Sequence, residues 1–294
     1  MNTETYHFKL GAFKCIAVSD GIQTYKPPTF PPPAAFLFAN APKEHLELTL
    51  LEHNLKPEQW VEWISPYICV VIDTGKNRVL LDTGADGLGP NTGKLLQNLQ
   101  AEGITPGEID TVILTHGHPD HIGGNTVSEG RPAFPNARFV MWKDEWDFWT
   151  SDLAELKGEE HVKQLLVSYA RRNLPPIQDQ LYLIDHETEI VPGIQAIAAP
   201  GHTPGHMAVA ITSGSEHLLC ISDVALHPIH VEQPDWYALV DSNPQQVVTT
   251  RHRIFNHAAV EKTLVLAFHF PFPGLGHVVK KEEGWQWKPI KIMT

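Results

Sequence analysis

The sequence predicts an α/β fold in which two β-sheets pack face to face with helices outside, in a single domain spanning residues 1–294. Two observations predict it. Short runs of β-branched and apolar residues occur both early and late in the chain, and segments with helical spacing of apolar residues are threaded among them.

In chain order, residues 67–82 (YICVVIDTGKNRVLLD) read as two strands joined by Thr-Gly-Lys-Asn, a hairpin turn whose glycine supplies positive φ. Asp-Thr-Gly occurs twice in and after this hairpin, at Asp73 and Asp82, which invites comparison with aspartic proteases. Both copies lie on one hairpin, so they are not the two symmetry-related loops such a dyad needs. The following TGKLLQNLQAEGI has helical spacing and leads to the strand TVILT. Later strands are ARFVM, LYLI, IQAIAA, MAVAIT, HLLCIS and TLVLAFH. The aromatic-rich stretch 143–174 reads as one or two helices. SNPQQVVTTRHRIFNHAAVEK reads as another, with a Ser-Asn-Pro start.

Residues 26–66 stand apart. KPPTFPPPAAFLFANAP is proline-rich and the stretch behind it is polar and helix-prone. Two readings are open: an irregular surface arm, or an arm that covers the active site or a partner subunit in a homodimer. Phe30, Phe36 and Phe38 favour a covered arm, because exposed phenylalanines at this density reduce solubility.

A hydrophobic content of 42% with 19% charged residues is that of a soluble globular chain, and a net charge of -12 argues against nucleic acid or an anionic membrane as partner. Cys15, Cys69 and Cys220 are widely spaced and odd in number, which suggests neither a disulfide framework nor a zinc knuckle, and Cys69 and Cys220, inside apolar runs, read as buried inert thiols. The N-terminus has no signal-like apolar region and no stretch is long enough to span a membrane, so a cytoplasmic protein is predicted.

TVILTHGHPDHIGG, residues 111–124, crowds His116, His118, Asp120 and His121 behind a strand. Four such groups within one turn of chain repel one another or lie unsatisfied unless a positive ion sits between them. Further candidates lie at other strand ends: His202 after IQAIAAPG, with His206 four residues on, Asp223 after HLLCIS, and His269 after TLVLAF. His116 and His118, two apart in an extended segment, point the same way, and His202 completes a three-nitrogen position. Asp120 and His121 face a second position that His269 completes, and Asp223 bridges the two. Two such sites suit zinc first, with manganese, iron or cobalt as alternatives. With seven ligands assigned, His206 and His277 are expected outside the coordination sets, supporting them.

These residues resemble the metallo-β-lactamase superfamily in order and spacing: VLLDTG (79–84), THGHPDHIGG (115–124), PGHTPGH (200–206), Ser222-Asp223 and the strand-end His269. The resemblance implies a four-layer αββα sandwich, a hydrolytic site with two divalent metal ions, and a supporting role for Asp82 in orienting a histidine ligand. β-Lactamases of the family usually have cysteine or serine where this chain has Asp223, and only 25 residues follow His269, too few for the helical domain of glyoxalase II. The inserted domain of the nucleic-acid processing branch and the flavin domain of flavodiiron proteins have no counterpart here.

The remaining branch contains N-acyl homoserine lactonases and methyl parathion hydrolase, the latter similar in the tail AFHFPFPGLGHV. Many lactonases of the branch carry a tyrosine where this chain has Leu226. The expected activity is lactone hydrolysis with some arylesterase or phosphotriesterase activity, Asp120 or water protonating the departing alkoxide. The alternatives are an organophosphate hydrolase, a β-lactamase or thioester hydrolase, and a metal-binding or redox-sensing protein without catalysis. An apolar small-molecule pocket is expected from Trp146, Phe148, Trp149, Leu226, Trp236, Phe270 and Phe272.

Overall fold

The computed structural model describes residues 4–127, 130–151 and 160–292. The first sheet runs in the order β1 (Thr5–Leu10), β2 (Phe13–Tyr25), β3 (Trp63–Asp73), β4 (Arg78–Leu81), β5 (Thr111–Ile113), β6 (Arg138–Trp142) and β7 (Leu181–Ile184). The second comprises β8 (Glu189–Val191), β9 (Ile194–Ala198), β10 (Met207–Ser213), β11 (Glu216–Cys220), β12 (Leu264–Leu266), β13 (Leu275–Lys280) and β14 (Trp285–Pro289), again adjacent in chain order. The helices are α1 (Pro33–Leu37), α2 (Lys43–Glu52), α3 (Leu95–Ala101), α4 (Pro119–Ile122), α5 (Lys143–Thr150), α6 (Glu160–Asn173), α7 (Ile229–Glu232) and α8 (Pro244–Val260).

Strand β3 shows why the layers stack as they do. Its side chains alternate between two buried faces: Ile68, Val70 and Ile72 enter the core between the sheets, while Tyr67, Cys69 and Val71 enter the core beneath α3 and α6. On the far side, α8 buries Ile254, Phe255 and Ala258, one stripe at helical spacing, against the outer face of the second sheet. Asn243 caps α8 by accepting from the Gln246 amide, 3.2 Å away, with proline at the first helical position. The four layers are therefore helix, sheet, sheet, helix, as the family resemblance implied.

The expected hairpin is β3–β4, with Gly75 at φ +83° and the Asp73 carboxylate accepting from its amide. The expected helices appear as α3, α5, α6 and α8, although residues 152–159 of the 143–174 stretch lie outside the described residues. Strands β1 and β2 have no counterpart in the sequence reading. A register shift between Ser19 and Gly21 interrupts the alternation of β2, and Asp20 there turns inward to accept from the amides of Ala85, Gly93 and Leu95. That carboxylate ties down the loop that follows β4. All three cysteines are buried, and burial pushes the Cys15 thiol up to about 12, in keeping with inert thiols. No helix among the described residues is long and apolar enough to cross a membrane.

The arm carries α1 and α2 and ends earlier than its sequence boundary, because residues 63–66 already belong to β3. Phe36, Leu37 and Phe38 are buried in a cluster with Trp63, Leu226, Ile229, Trp236 and Ala238, so these phenylalanines are covered by their own chain. Beneath them lie two histidines. His230 donates from Nε2 to the Leu37 carbonyl at 2.8 Å, and His227 lies against Phe38 and Trp60.

Burial holds the His230 imidazole well below its ordinary range and brings that of His227 down to about 3. Both fold as neutral rings, so their contribution to stability is complete above about pH 6.5 and is lost as the pH falls from there toward 3. The urea midpoint should accordingly fall as the pH drops below 6, with a shallower fall in His227→Asn. An equally steep fall in that variant would rule out His227 as a contributor.

Candidate metal centre

Five loops deliver the site, each leaving a strand at the same edge of the sandwich. Asp82 follows β4 and residues 115–118 follow β5; His202 lies between β9 and β10; Asp223 follows β11, and His269 follows β12. The close approach of the β4 and β5 loops depends on Gly123 and Gly124. A Cβ on Gly124 would lie 2.1 Å from the Thr83 carbonyl oxygen, and one on Gly123 would lie 2.6 Å from Ala85 backbone.

The seven side chains assemble into two groups that could each hold a metal ion, His116, His118, His202 and Asp223 in one and Asp120, His121 and His269 in the other. His118 Nδ1 lies 3.1 Å from His116 Nε2 and 2.9 Å from His202 Nε2. Asp223 touches both groups. Its Oδ2 is 3.2 Å from His202 Nε2 and 3.1 Å from His269 Nε2, and its Oδ1 is 3.2 Å from His121 Nε2. Asp120 Oδ2 lies 3.5 Å from His269 Nε2 and 3.8 Å from His121 Nε2.

The residues fit divalent cations. His121 Nε2 is buried and makes no hydrogen bond, while its Nδ1 lies 2.8 Å from Asp82 Oδ2, so one unpartnered ring nitrogen faces the second group. Burial, reinforced by neighbouring histidines, holds His116 and His118 well below the ordinary imidazole range, leaving neutral nitrogens of the kind a metal requires. For His121 and His202 burial works the same way but is outweighed by carboxylates. Asp223, Asp82 and Asp120 hold His121 well above its usual value, and Asp223 and Asp241 bring His202 to about 9. Asp223 itself stays well below the carboxylate range, because His269, His121 and His116 outweigh its burial. Such an accumulation of opposed charges is what a bound cation would reorganise.

Around these groups lie further residues, some of them expected from the sequence and some not. Asp82, at φ +58°, accepts from both the amide and the hydroxyl of Thr115, each at 2.8 Å, besides holding His121. His206 donates from Nδ1 to the Ala199 carbonyl and accepts the Asp223 amide on Nε2 at 3.1 Å, so both its nitrogens are occupied and one of them supports Asp223. His277 does not support the site. It lies on β13 and bonds the carbonyl of Thr263, ahead of β12, whereas His269 follows the other end of that strand.

The expected pocket residues divide in the same way. Trp149 stands 5.5 Å from the His118 ring, centroid to centroid, while itself buried in the helix-side core. Phe270 is fully buried between α8 and the second sheet, and Phe272 packs against the core between the sheets, so neither is free to meet a substrate. The loop after β12 sends Phe268 and Phe270 into different cores on either side of His269, which a strand-end reading does not reveal. Leu226 and Trp236 are buried beneath the arm, and Trp146 and Phe148 are half-buried against the helix-side core.

Missed were Ser65, whose hydroxyl lies 2.8 Å from His269 Nδ1, Asp241, which accepts from His202 Nδ1 at 2.8 Å, and Glu145. Fully buried on α5, Glu145 accepts from the Gly117 amide at 2.8 Å and the Trp149 indole at 2.6 Å through Oε1, and from the Gly205 amide at 2.9 Å through Oε2. It thereby joins the loop of His116 and His118 to that of His202.

Replacing Glu145 by glutamine puts an NH2 group against an amide or indole donor and leaves a buried hydrogen bond unmade. Stability should drop by about 1–3 kcal/mol in denaturant titration, and the metal content of the purified protein should fall with it. An unchanged midpoint would mean that the two loops hold their places without this carboxylate.

The family model of the metallo-beta-lactamase superfamily matches residues 66–257. N-acyl homoserine lactonase AiiA of Bacillus thuringiensis subsp. kurstaki is 25% identical over 248 residues, covering 77% of this chain and 87% of that one. Among solved structures, AidC, a dizinc quorum-quenching lactonase in complex with a product, superposes at a TM-score of 0.89 with 26% identity, over 99% of this chain and 98% of that one. AbOPH, a hydrolase in the beta lactamase superfamily, superposes at 0.88 with 27% identity over the whole of both chains. With the match spanning most of the chain and every site loop up to Asp223 falling inside it, the protein belongs to the metallo-beta-lactamase superfamily and is a hydrolase.

Proposed function

We propose that the protein is a lactonase that opens acyl homoserine lactones or related ring esters, with aryl esters and phosphotriesters as secondary substrates. The observation that carries this reading is Asp223, which places one carboxylate against both histidine groups, in a chain similar throughout to a dizinc lactonase. In this reading His116, His118 and His202 hold one divalent ion and Asp120, His121 and His269 the other, with Asp223 shared and zinc the first candidate. When bound, such ions supply Lewis-acid polarisation of the ester and a nucleophilic water near neutral pH.

The chain's own side chains supply the rest. Asp82 and Ser65 fix the rings of His121 and His269, so their Nε2 atoms keep facing the second group. In the reaction, water's oxygen joins the carbonyl carbon, the ring C–O bond breaks, and the departing alkoxide takes up a proton to give a hydroxy acid. Asp120 is the carboxylate placed to pass that proton. Its side chain is 11% exposed against 3% for Asp223, so it alone of the two reaches toward solvent and substrate. Trp149 beside His118, and Trp63 with its ring 5.9 Å from that of His269, favour an apolar acyl or aryl group over a charged thioester. The same aromatic surroundings favour the aryl esters and phosphotriesters, which present an electrophilic centre and a leaving oxygen in the same relation.

Metal analysis of the purified protein should give close to two ions per chain, and Asp223→Ala should retain fewer. A hydrolysis panel of acyl homoserine lactones, δ-lactones, aryl esters, a phosphotriester, a cephalosporin and a glutathione thioester should show turnover of the lactones, reduced more than about 100-fold in Asp223→Ala. Turnover confined to the cephalosporin or the thioester would sink the lactonase reading, and full turnover in Asp223→Ala would sink the shared role of that carboxylate.

A further inference from the structure

Arg251 is a member of neither metal-binding group, yet its bonds run to the segments that carry two of their residues. It belongs to the buried stripe of α8 and its side chain is fully buried. Nε donates to the Val224 carbonyl at 2.6 Å, immediately after Asp223. Nη1 donates to the carbonyl of Trp236 and lies 3.5 Å from that of Pro234. Nη2 reaches Asp241 Oδ2 at 3.4 Å. The two oxygens of Asp241 are thereby divided: Oδ2 takes Arg251 and the Ala238 amide, and Oδ1 takes Nδ1 of His202. The backbone reinforces this connection. Ser242 donates from its amide and hydroxyl to the His202 carbonyl, and the Asn243 amide donates to Gly201. A Cβ on Gly201 would lie 2.3 Å from the Val247 amide nitrogen, so the His202 loop is seated directly on the start of α8.

We infer that Arg251 is a positioning residue for the metal centre, acting on His202 through Asp241 and on the Asp223 turn through the Val224 carbonyl. The inference rests on the ligand role proposed for His202. A buried guanidinium needs a countercharge and several acceptors, and a buried carboxylate needs donors on both oxygens. Each supplies the other here, and what remains of the carboxylate is a single oxygen aimed at one imidazole nitrogen. That contact places the proton of His202 on Nδ1 and leaves Nε2 facing His118, 2.9 Å away. Without Arg251, Asp241 loses the partner that orients it and the Val224 carbonyl loses its donor, so one substitution loosens the supports of two proposed ligands.

The test is zinc binding, read by competition with a chelator, together with the rise in melting temperature that zinc produces. Arg251→Met, Arg251→Lys, Asp241→Asn and His202→Ala are compared with the unaltered protein. Arg251→Met should bind zinc about 10- to 100-fold more weakly and show a smaller zinc-dependent rise, with Arg251→Lys in between. Because one of the two routes from Arg251 runs through Asp241 to His202, the double variant Arg251→Met/Asp241→Asn should bind less weakly than the product of the two single effects predicts. If Arg251→Met lowers the melting temperature of the metal-free protein but binds zinc at the unaltered affinity while His202→Ala does not, Arg251 is only structural and the inference is overturned. If Arg251→Met fails to fold, Arg251→Lys and Asp241→Asn decide, and unaltered zinc affinity in both overturns it. Unaltered affinity in His202→Ala would instead overturn the ligand role itself.

Discussion

What each imidazole offers the centre is decided by what its other nitrogen holds. Asp82 takes Nδ1 of His121, Asp241 takes Nδ1 of His202, and Ser65 meets Nδ1 of His269. His206 follows the same rule in reverse, since its Nδ1 is spent on the Ala199 carbonyl and its Nε2 is therefore an acceptor for the Asp223 amide. A neutral imidazole has one donor and one acceptor, so fixing one nitrogen fixes the chemistry of the other. The site is in this sense an arrangement of outward-facing bonds, and its inward-facing atoms follow from them.

That rule explains why the scaffold must be a two-sheet sandwich of this depth. Some of these bonds cross from one sheet to the other: Ser65 on β3 serves His269 behind β12, and Thr115 behind β5 meets the Ser222 hydroxyl at 2.8 Å. Only a core in which both sheets are rigid and densely packed keeps such pairs in register. Asp20 and Glu145 act in a similar way farther from the centre, where buried carboxylates collect loop amides that have no strand to pair with.

The sequence made the site's inner atoms far more legible than its supports. His116 to His121 are local, and a dense run of ligand-type residues behind a strand is hard to account for without a bound cation. His202, Asp223 and His269 were found because strand ends are recognisable. Asp241 and Ser65 gave no such signal, since each lies on a loop or strand whose only relation to its histidine is three-dimensional. Their existence, though not their identity, followed from the need of a ligating imidazole for a second partner. His277 and Phe270 were misplaced because proximity in sequence to His269 says little about direction. The chain after β12 turns, and within one residue on either side of His269 the side chains enter different cores. The alternation of β2 was hidden by the bulge that brings Asp20 inward.

The bond between Ser65 and His269 joins residues 204 positions apart. On a ribosome, the stretch from His116 to His121 emerges well before the strands that carry His202, Asp223 and His269. Until the last of these has docked, a cluster of imidazoles hangs from a half-built sheet with its outward bonds unmade. Contacts of such long sequence separation form late and slow the overall folding rate. A nascent chain of this protein therefore passes through a stage in which ligand-type side chains are exposed to any passing cation before the geometry that would select among them exists.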